Sequence, residues 1–311
     1  MGATRRWLWL LLAAGALLCI GGAVAVGTPA AGTKIYFALC RGAYRYWPLQ
    51  RGKMVVWRAA PYLERLRSFV PVWHQVEPGL EMFLDPDDAI AREIMETGAW
   101  DPETWAIVSE HLPEGGTFID VGAHIGYYSL KAARKVGAGG HVVAIEPNPL
   151  TLQQLRSNVQ RNRAFMVAIE PVACSDSEAV LEFFGADHSN TGASSLSREN
   201  ASVWGPPASY RVRARPLDAV VREMNLLRVD VVKIDVEGAE MKVLQGANET
   251  LSRFHPALVI EIMDPLLAAM GTSAAQVTQF LTSRGYRFRR TAEDNREWVY
   301  QASASATGSK R

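Results

Sequence analysis

Acidic residues recur in this chain where a short apolar run gives way to a turn. The densest stretch is "KIDVEGAE", Lys233 to Glu240, where strand alternation sends Lys233 and Asp235 to one side and leaves Glu237 in the turn that follows. Glu261 lies near the end of another apolar run, Ala257 to Ile262. Carboxylates grouped this way can hold a polar acceptor and take a proton from a neutral hydroxyl. Asp235 is the first choice of base and Glu237 the second, with Lys233 orienting a carboxylate or the acceptor. Asp235, Glu237 and Glu261 could also ligate a hard cation such as Mg²⁺, but no fixed-spacing signature accompanies them and no metal is assigned. Glu240, on the first turn of the next helix, is explained by the helix dipole. Glu261 is as readily a structural pairing partner as a functional acid.

A second set surrounds "TFIDVGAHIGYYSL", Thr117 to Leu130, which reads as strand, glycine turn and helix. Ligands of open α/β sheets lie at the carboxyl ends of the strands, so Asp120, Gly122 and Gly126 fall where binding is expected and the glycines allow close backbone approach. Glu146 closes the next strand twenty positions after Gly126, where a carboxylate can accept from both hydroxyls of a ribose. The spacing is D-x-G-x-x-x-G rather than the dinucleotide pattern G-x-G-x-x-G. Asp120 would also stand against a pyrophosphate. S-adenosylmethionine removes that conflict: it has adenosine, no phosphate, and a cationic ammonium and sulfonium. Transfer of its methyl group is an in-line displacement that rests on alignment.

These residues need a sheet to place them. Apolar runs of strand length occur at 117–121, 141–146, 166–173, 229–235 and 257–262, each too short and too uniformly apolar for a surface helix. Amphipathic stretches lie between them, so the expected fold is a doubly wound α/β sheet. "AVLEFF" and "SYRVRARPL", flanking a polar loop at 186–197, predict an inserted strand pair. "GYRFRRTAEDNREWVYQA" predicts a closing antiparallel hairpin. Asp101 before Pro102 predicts an N-cap and an N1 proline.

The motifs "FIDVGAHIGYYSL", "VVAIEPNP", "VACSD", "NTGASSL", "RPLD" and "VVKIDVEGAEMKVLQGA" followed by "LVIEI" resemble, in this order, the FkbM-type family of S-adenosylmethionine-dependent methyltransferases. The resemblance runs from about Met82 to Tyr300 and implies the seven-stranded class I methyltransferase (Rossmann-like) sheet with an antiparallel last strand. It also implies O-methylation, often of sugar hydroxyls. Asp120, Gly122, His124 and Gly126 would line the methionine end, Glu146 and Asn148 would hold the ribose, and Cys174, Ser175 and Asp176 would frame the adenine. His124 stands where such sequences commonly carry Asn.

The composition is that of a globular chain: 311 residues, 48% hydrophobic, 21% charged, formal net charge +1. That balance gives no case for a nucleic-acid partner. Three cysteines without metal spacing indicate neither a disulfide framework nor zinc. Residues 1–33 contain an uncharged run in which Trp7 to Val26 is long enough for a bilayer core, about 30 Å as a helix. A single-pass membrane anchor is expected there, with a cleaved signal peptide and export as the alternative. Basic residues after the run favour a cytoplasmic catalytic domain. A juxtamembrane linker is assigned to 34–76, the methyltransferase domain to 77–302 and a disordered tail to 303–311. The expected function is an O-methyltransferase with a small-molecule or glycan acceptor at the membrane. An NAD-dependent oxidoreductase and a non-catalytic binding module are the alternatives.

Overall fold

The computed structural model describes residues 29–46 and 69–301, and the chain divides into two compact units, 1–100 and 101–311. In the first, helix α1 (Pro29–Tyr46) is accompanied by a hairpin of β1 (Val72–Glu77) and β2 (Leu80–Leu84) and by helix α2 (Ala89–Thr97). Tyr36 and Phe37 of α1 close on Phe69, with ring centroids 4.8 and 5.5 Å away. Asp88 caps α2 by accepting from the Ala91 amide. Helix α1 crosses the expected boundary at 33/34, and β1 begins inside the segment read as a linker. The apolar run Trp7 to Val26 and the tail 303–311 lie outside the described residues; among the described residues no helix is long and apolar enough to cross a membrane.

The second unit is built on a seven-stranded sheet. Its strands are β3 (Thr117–Val121), β4 (His141–Ile145), β5 (Val167–Glu170), β9 (Val231–Ile234), β10 (Ala257–Glu261), β11 (Tyr286–Ala292) and β12 (Asn295–Tyr300), in the order β11-β12-β10-β9-β3-β4-β5. β12 runs antiparallel to both neighbours, and the β10-β9-β3-β4-β5 ladders are parallel. Every residue of β3 and β9 is buried, as expected of strands covered on both faces. Alternation splits them: Ile119, Val121, Val232 and Ile234 join the large apolar cluster on one face. Phe118, Asp120, Val231 and Lys233 point to the other face, where helix α3 (Pro102–His111) and helix α4 (Tyr127–Val136) lie. Asp101 caps α3 through the Thr104 amide, as its position before Pro102 predicts.

Two departures from the sequence reading have clear causes. The run 166–173 breaks at Pro171, which has no N–H to give to a ladder, into β5 and a short β6 (Ala173–Cys174). β6 leaves the main sheet and pairs with β8 (Ala208–Arg215), whose other edge carries β7 (Ala179–Gly185), so the expected strand pair is part of a three-stranded sheet. Two short helices follow β9, Glu240–Gln245 with Val243 and Leu244 buried and Asn248–Phe254 with Leu251 buried.

Candidate active site

The order of strands places a topological switch between β3 and β9, since the chain proceeds from β3 outward to β4 and β5 and returns at β9 toward β10. The expected acids collect around that crevice. Asp120 and Lys233 are register partners on the facing strands, and Ser129 of α4 donates to Asp120 Oδ2 at 2.6 Å. Asp120 Oδ1 is sealed from solvent with no hydrogen-bond partner among the described residues. Burial pushes the Asp120 carboxyl up to about 6 against the opposing pull of Lys233 and the Ser129 hydroxyl.

Glu146 is buried and ties two turns together. Its Oε2 accepts from the His124 amide and its Oε1 from the Asn148 amide, both at 2.8 Å. The Thr151 hydroxyl is also against this carboxylate, which keeps lone-pair capacity for a ribose hydroxyl. Burial raises this carboxyl above its ordinary value, more than its neighbours lower it.

The glycines also serve contacts within the protein that the sequence does not show. A Cβ on Gly122, at φ +82°, would stand 1.8 Å from the carbonyl oxygen of Asp235. One on Gly126, at φ +90°, would stand 2.5 Å from Leu155. Both absences of a side chain let protein meet protein, joining the turn after β3 to the chain after β9 and to the helix that follows β4. His124 has φ 52°, a conformation that Asn and His tolerate better than most residues, which accounts for the exchange of one for the other. Its Nε2 lies 2.6 Å from Thr191 Oγ1 in the polar loop between β7 and β8.

Asn148 is engaged as a cap. Its Oδ1 accepts from the Leu150 amide of helix α5 (Pro149–Arg161) and its Nδ2 donates to Ser194 at 3.1 Å. The three residues expected around the adenine diverge: the Cys174 thiol packs in the main apolar cluster, pushed up to about 12 by burial, and Ser175 donates to Asp176 at 3.0 Å. Asp176 is exposed, and that hydrogen bond holds its carboxyl below the ordinary value.

The tips of β9 and β10 hold the residues expected to act on the acceptor. Lys233 is buried, donates to Asp235 Oδ2 at 2.9 Å and sits 4.9 Å over the ring of Tyr128. Burial alone would lower the lysine, but the charges of Asp235 and Asp120 hold it above its usual value. Glu237 has φ 53°, and its carbonyl accepts from Ser195 Oγ at 2.7 Å and Asn200 Nδ2 at 2.9 Å. Glu261 closes β10 with Oε2 enclosed and without a hydrogen-bond partner among the described residues. One carboxylate oxygen from each of Asp235, Glu237 and Glu261 lies within 4.8 Å of the others. Burial and the neighbouring acids, Asp235 first among them, push Glu237 and Glu261 well above the usual carboxylate range. Glu240 accepts from the Val236 and Gly238 amides and so braces the turn, its carboxyl raised to about 7 by burial.

Sequence reasoning missed Ser129, Ser194, Ser195 and Asn200. The contacts of Ser194, Ser195 and Asn200 cross some forty residues and carry no spacing signal, although the polar composition of 186–197 marked that loop as worth attention, and Ser129 is nine residues from Asp120 in the helix after the glycine turn. Within that loop, Thr191 reaches His124, and His188 is exposed beside Asp187.

A seven-stranded sheet of this order, with acids at the tips of β3, β4 and β9, defines a class I methyltransferase. The model of the methyltransferase FkbM domain matches residues 120–288, more than half of the chain, and the chain belongs to that family. Its cofactor is S-adenosylmethionine. The chain is 27% identical over 206 residues to the AMB antimetabolite synthetase AmbE of Pseudomonas aeruginosa, covering 56% of this chain and 10% of that protein. It is 26% identical over 179 residues to the hexuronic acid methyltransferase AglP of Haloferax volcanii, covering 57% of this chain and 69% of that one. The solved methyltransferase FkbM of Methylobacillus flagellatus is 19% identical with a TM-score of 0.41, over 68% of this chain and 53% of that chain.

Proposed function

We propose that this protein transfers the methyl group of S-adenosylmethionine to a hydroxyl of a sugar in a glycan, glycolipid or related small molecule. The observation that carries the reading is the convergence of Asp235, Glu237 and Glu261 beside the buried Lys233–Asp235 pair. The relative named as a hexuronic acid methyltransferase supports a sugar as the acceptor class.

The residues present fit the cofactor. Asp120 Oδ1 is a buried acceptor with no donor among the described residues, suited to a cationic group, and Glu146 keeps lone pairs for ribose hydroxyls. When bound, S-adenosylmethionine supplies an electrophilic methyl on a positively charged sulfur. The chain's part is to align the acceptor oxygen and take its proton. Asp235, fixed by Lys233, is the first candidate base and Glu237 the second. With the cofactor bound, the Asp235 carboxylate, or that of Glu237, would receive the acceptor's hydroxyl proton as its oxygen is methylated. The apolar run Trp7 to Val26 supports attachment to a membrane with this domain on the cytoplasmic side, and a reporter fused after Arg311 tests that orientation.

Calorimetry of the full chain with S-adenosylmethionine, S-adenosylhomocysteine and NAD tests the reading. The first two bind, NAD does not, and Glu146→Ala loses at least about tenfold in affinity, about 1.4 kcal/mol, because charge-assisted hydrogen bonds vanish. Binding of NAD instead returns the oxidoreductase reading. Cofactor binding with no turnover across sugar acceptors makes the chain a binding module.

A further inference from the structure

We propose that Asp235, Glu237 and Glu261 bind a hard divalent cation that receives the acceptor's oxygen. This rests on the methyltransferase reading above and assigns a job to the acids that it left sharing one.

Four features of the structure support the site. One oxygen from each of the three carboxylates falls within 4.8 Å of the other two. An ion with bonds of about 2.3–2.6 Å holds all its ligand oxygens within about 5 Å of one another, and these three oxygens meet that condition. Independently, Glu261 Oε2 is enclosed and takes no hydrogen bond from any described residue, although an isolated buried carboxylate oxygen is costly. The nearby cation, Lys233, already gives its Nζ to Asp235. Finally, the turn that presents Glu237 is fixed from three sides: Ser195 and Asn200 hold its carbonyl, and Glu240 binds the amides on either side of it. Building a rigid turn to bring a third acid against two others makes sense when a positive charge sits among them.

The donor set decides the class of ion. All three ligands are carboxylate oxygens, with no sulfur or imidazole in the cluster, which favours Mg²⁺, Mn²⁺ or Ca²⁺ over zinc or copper. Three protein ligands leave coordination positions for water and for an acceptor oxygen. A bound cation there lowers the pKa of the hydroxyl and fixes its direction of attack.

The test is a titration of Mn²⁺ into the full chain followed by electron paramagnetic resonance, with Mg²⁺ and Ca²⁺ as competitors, beside calorimetry with S-adenosylmethionine on the same samples. The wild type takes up one Mn²⁺, Mg²⁺ or Ca²⁺ displaces it, and Glu261→Gln weakens it at least tenfold with cofactor affinity within threefold. Glu237→Gln is the second variant, and a melting temperature no lower than wild type shows that either variant is folded, since each removes a charge from a crowded acidic cluster. If the wild type binds S-adenosylmethionine but leaves the free Mn²⁺ signal unchanged, or if both variants bind Mn²⁺ as tightly as the wild type, the cation site is refuted and the methyltransferase reading stands. If neither ligand binds, both fall together.

Discussion

Asp120 in β3 and His124 in the turn after it sit four residues apart and answer to different physics. Burial holds the Asp120 carboxyl near 6, above its ordinary 3.8, so the folded, cofactor-free protein keeps a proton that the unfolded chain gives up. The resulting cost to stability is absent below pH 4 and complete above pH 6. A cationic ligand favours the ionised form, so binding of S-adenosylmethionine near pH 6 releases a proton, and affinity falls as pH drops through that range. Calorimetry in buffers of different ionisation enthalpy reads the release directly; constant affinity from pH 7.5 to 5, or no release, removes Asp120 from the cofactor's cations. His124 is a matter of backbone. With φ 52°, His124→Asn keeps the melting curve and cofactor affinity close to wild type, whereas the β-branched His124→Val costs about 1–2 kcal/mol in denaturant unfolding. Equal stability of the two variants would show that the turn relaxes.

At the scale of elements, the segment from β7 to β8 is the part of the domain that reaches several turns at once. It meets the turn after β3 through Thr191, the one after β4 through Ser194, and the one after β9 through Ser195 and Asn200. Each hydrogen bond to the Glu237 carbonyl contributes about 1 kcal/mol net, so Ser195→Ala lowers kcat about fivefold. Its cofactor affinity stays unchanged, because Ser195 acts on Glu237 rather than on the ribose end. Loss of both together in equilibrium binding and single-turnover measurements would mean that Ser195 merely supports the fold. Strands β3, β4, β9 and β10 were legible in sequence because doubly covered strands are continuous apolar runs, and their terminal acids stood out against that background. Strand β1 and helix α1 were not, because aromatic and basic residues there read equally well as a membrane-surface linker. The true work of Gly122 was hidden too: its neighbour is the Asp235 carbonyl, more than a hundred residues away in the chain.

For the whole second unit, the edge of the sheet depends on one buried charge. Glu297 of β12 is fully buried and accepts from His111 Nε2 at 2.6 Å, Arg289 Nη1 at 3.0 Å and Arg290 Nε at 2.5 Å, tying α3 to the closing hairpin. Removing Glu297 takes the partner from His111 and empties a buried position between α3 and β12, while Arg289 and Arg290 keep Glu110. Glu297→Ala is therefore expected to lose about 2–3 kcal/mol in urea unfolding, with cofactor affinity of the folded fraction unchanged. A variant as stable as wild type would show that Glu110 alone suffices to hold the two arginines.

The register of β3 against β9 sets Asp120 opposite Lys233 although the two residues lie far apart in sequence. On a ribosome, that pairing therefore has no existence until the ninth strand has emerged and threaded in beside the third. A nascent chain truncated before that point carries Asp120 and its glycine turn without the lysine that lies in register with it, so these opposite charges meet only in a nearly finished molecule.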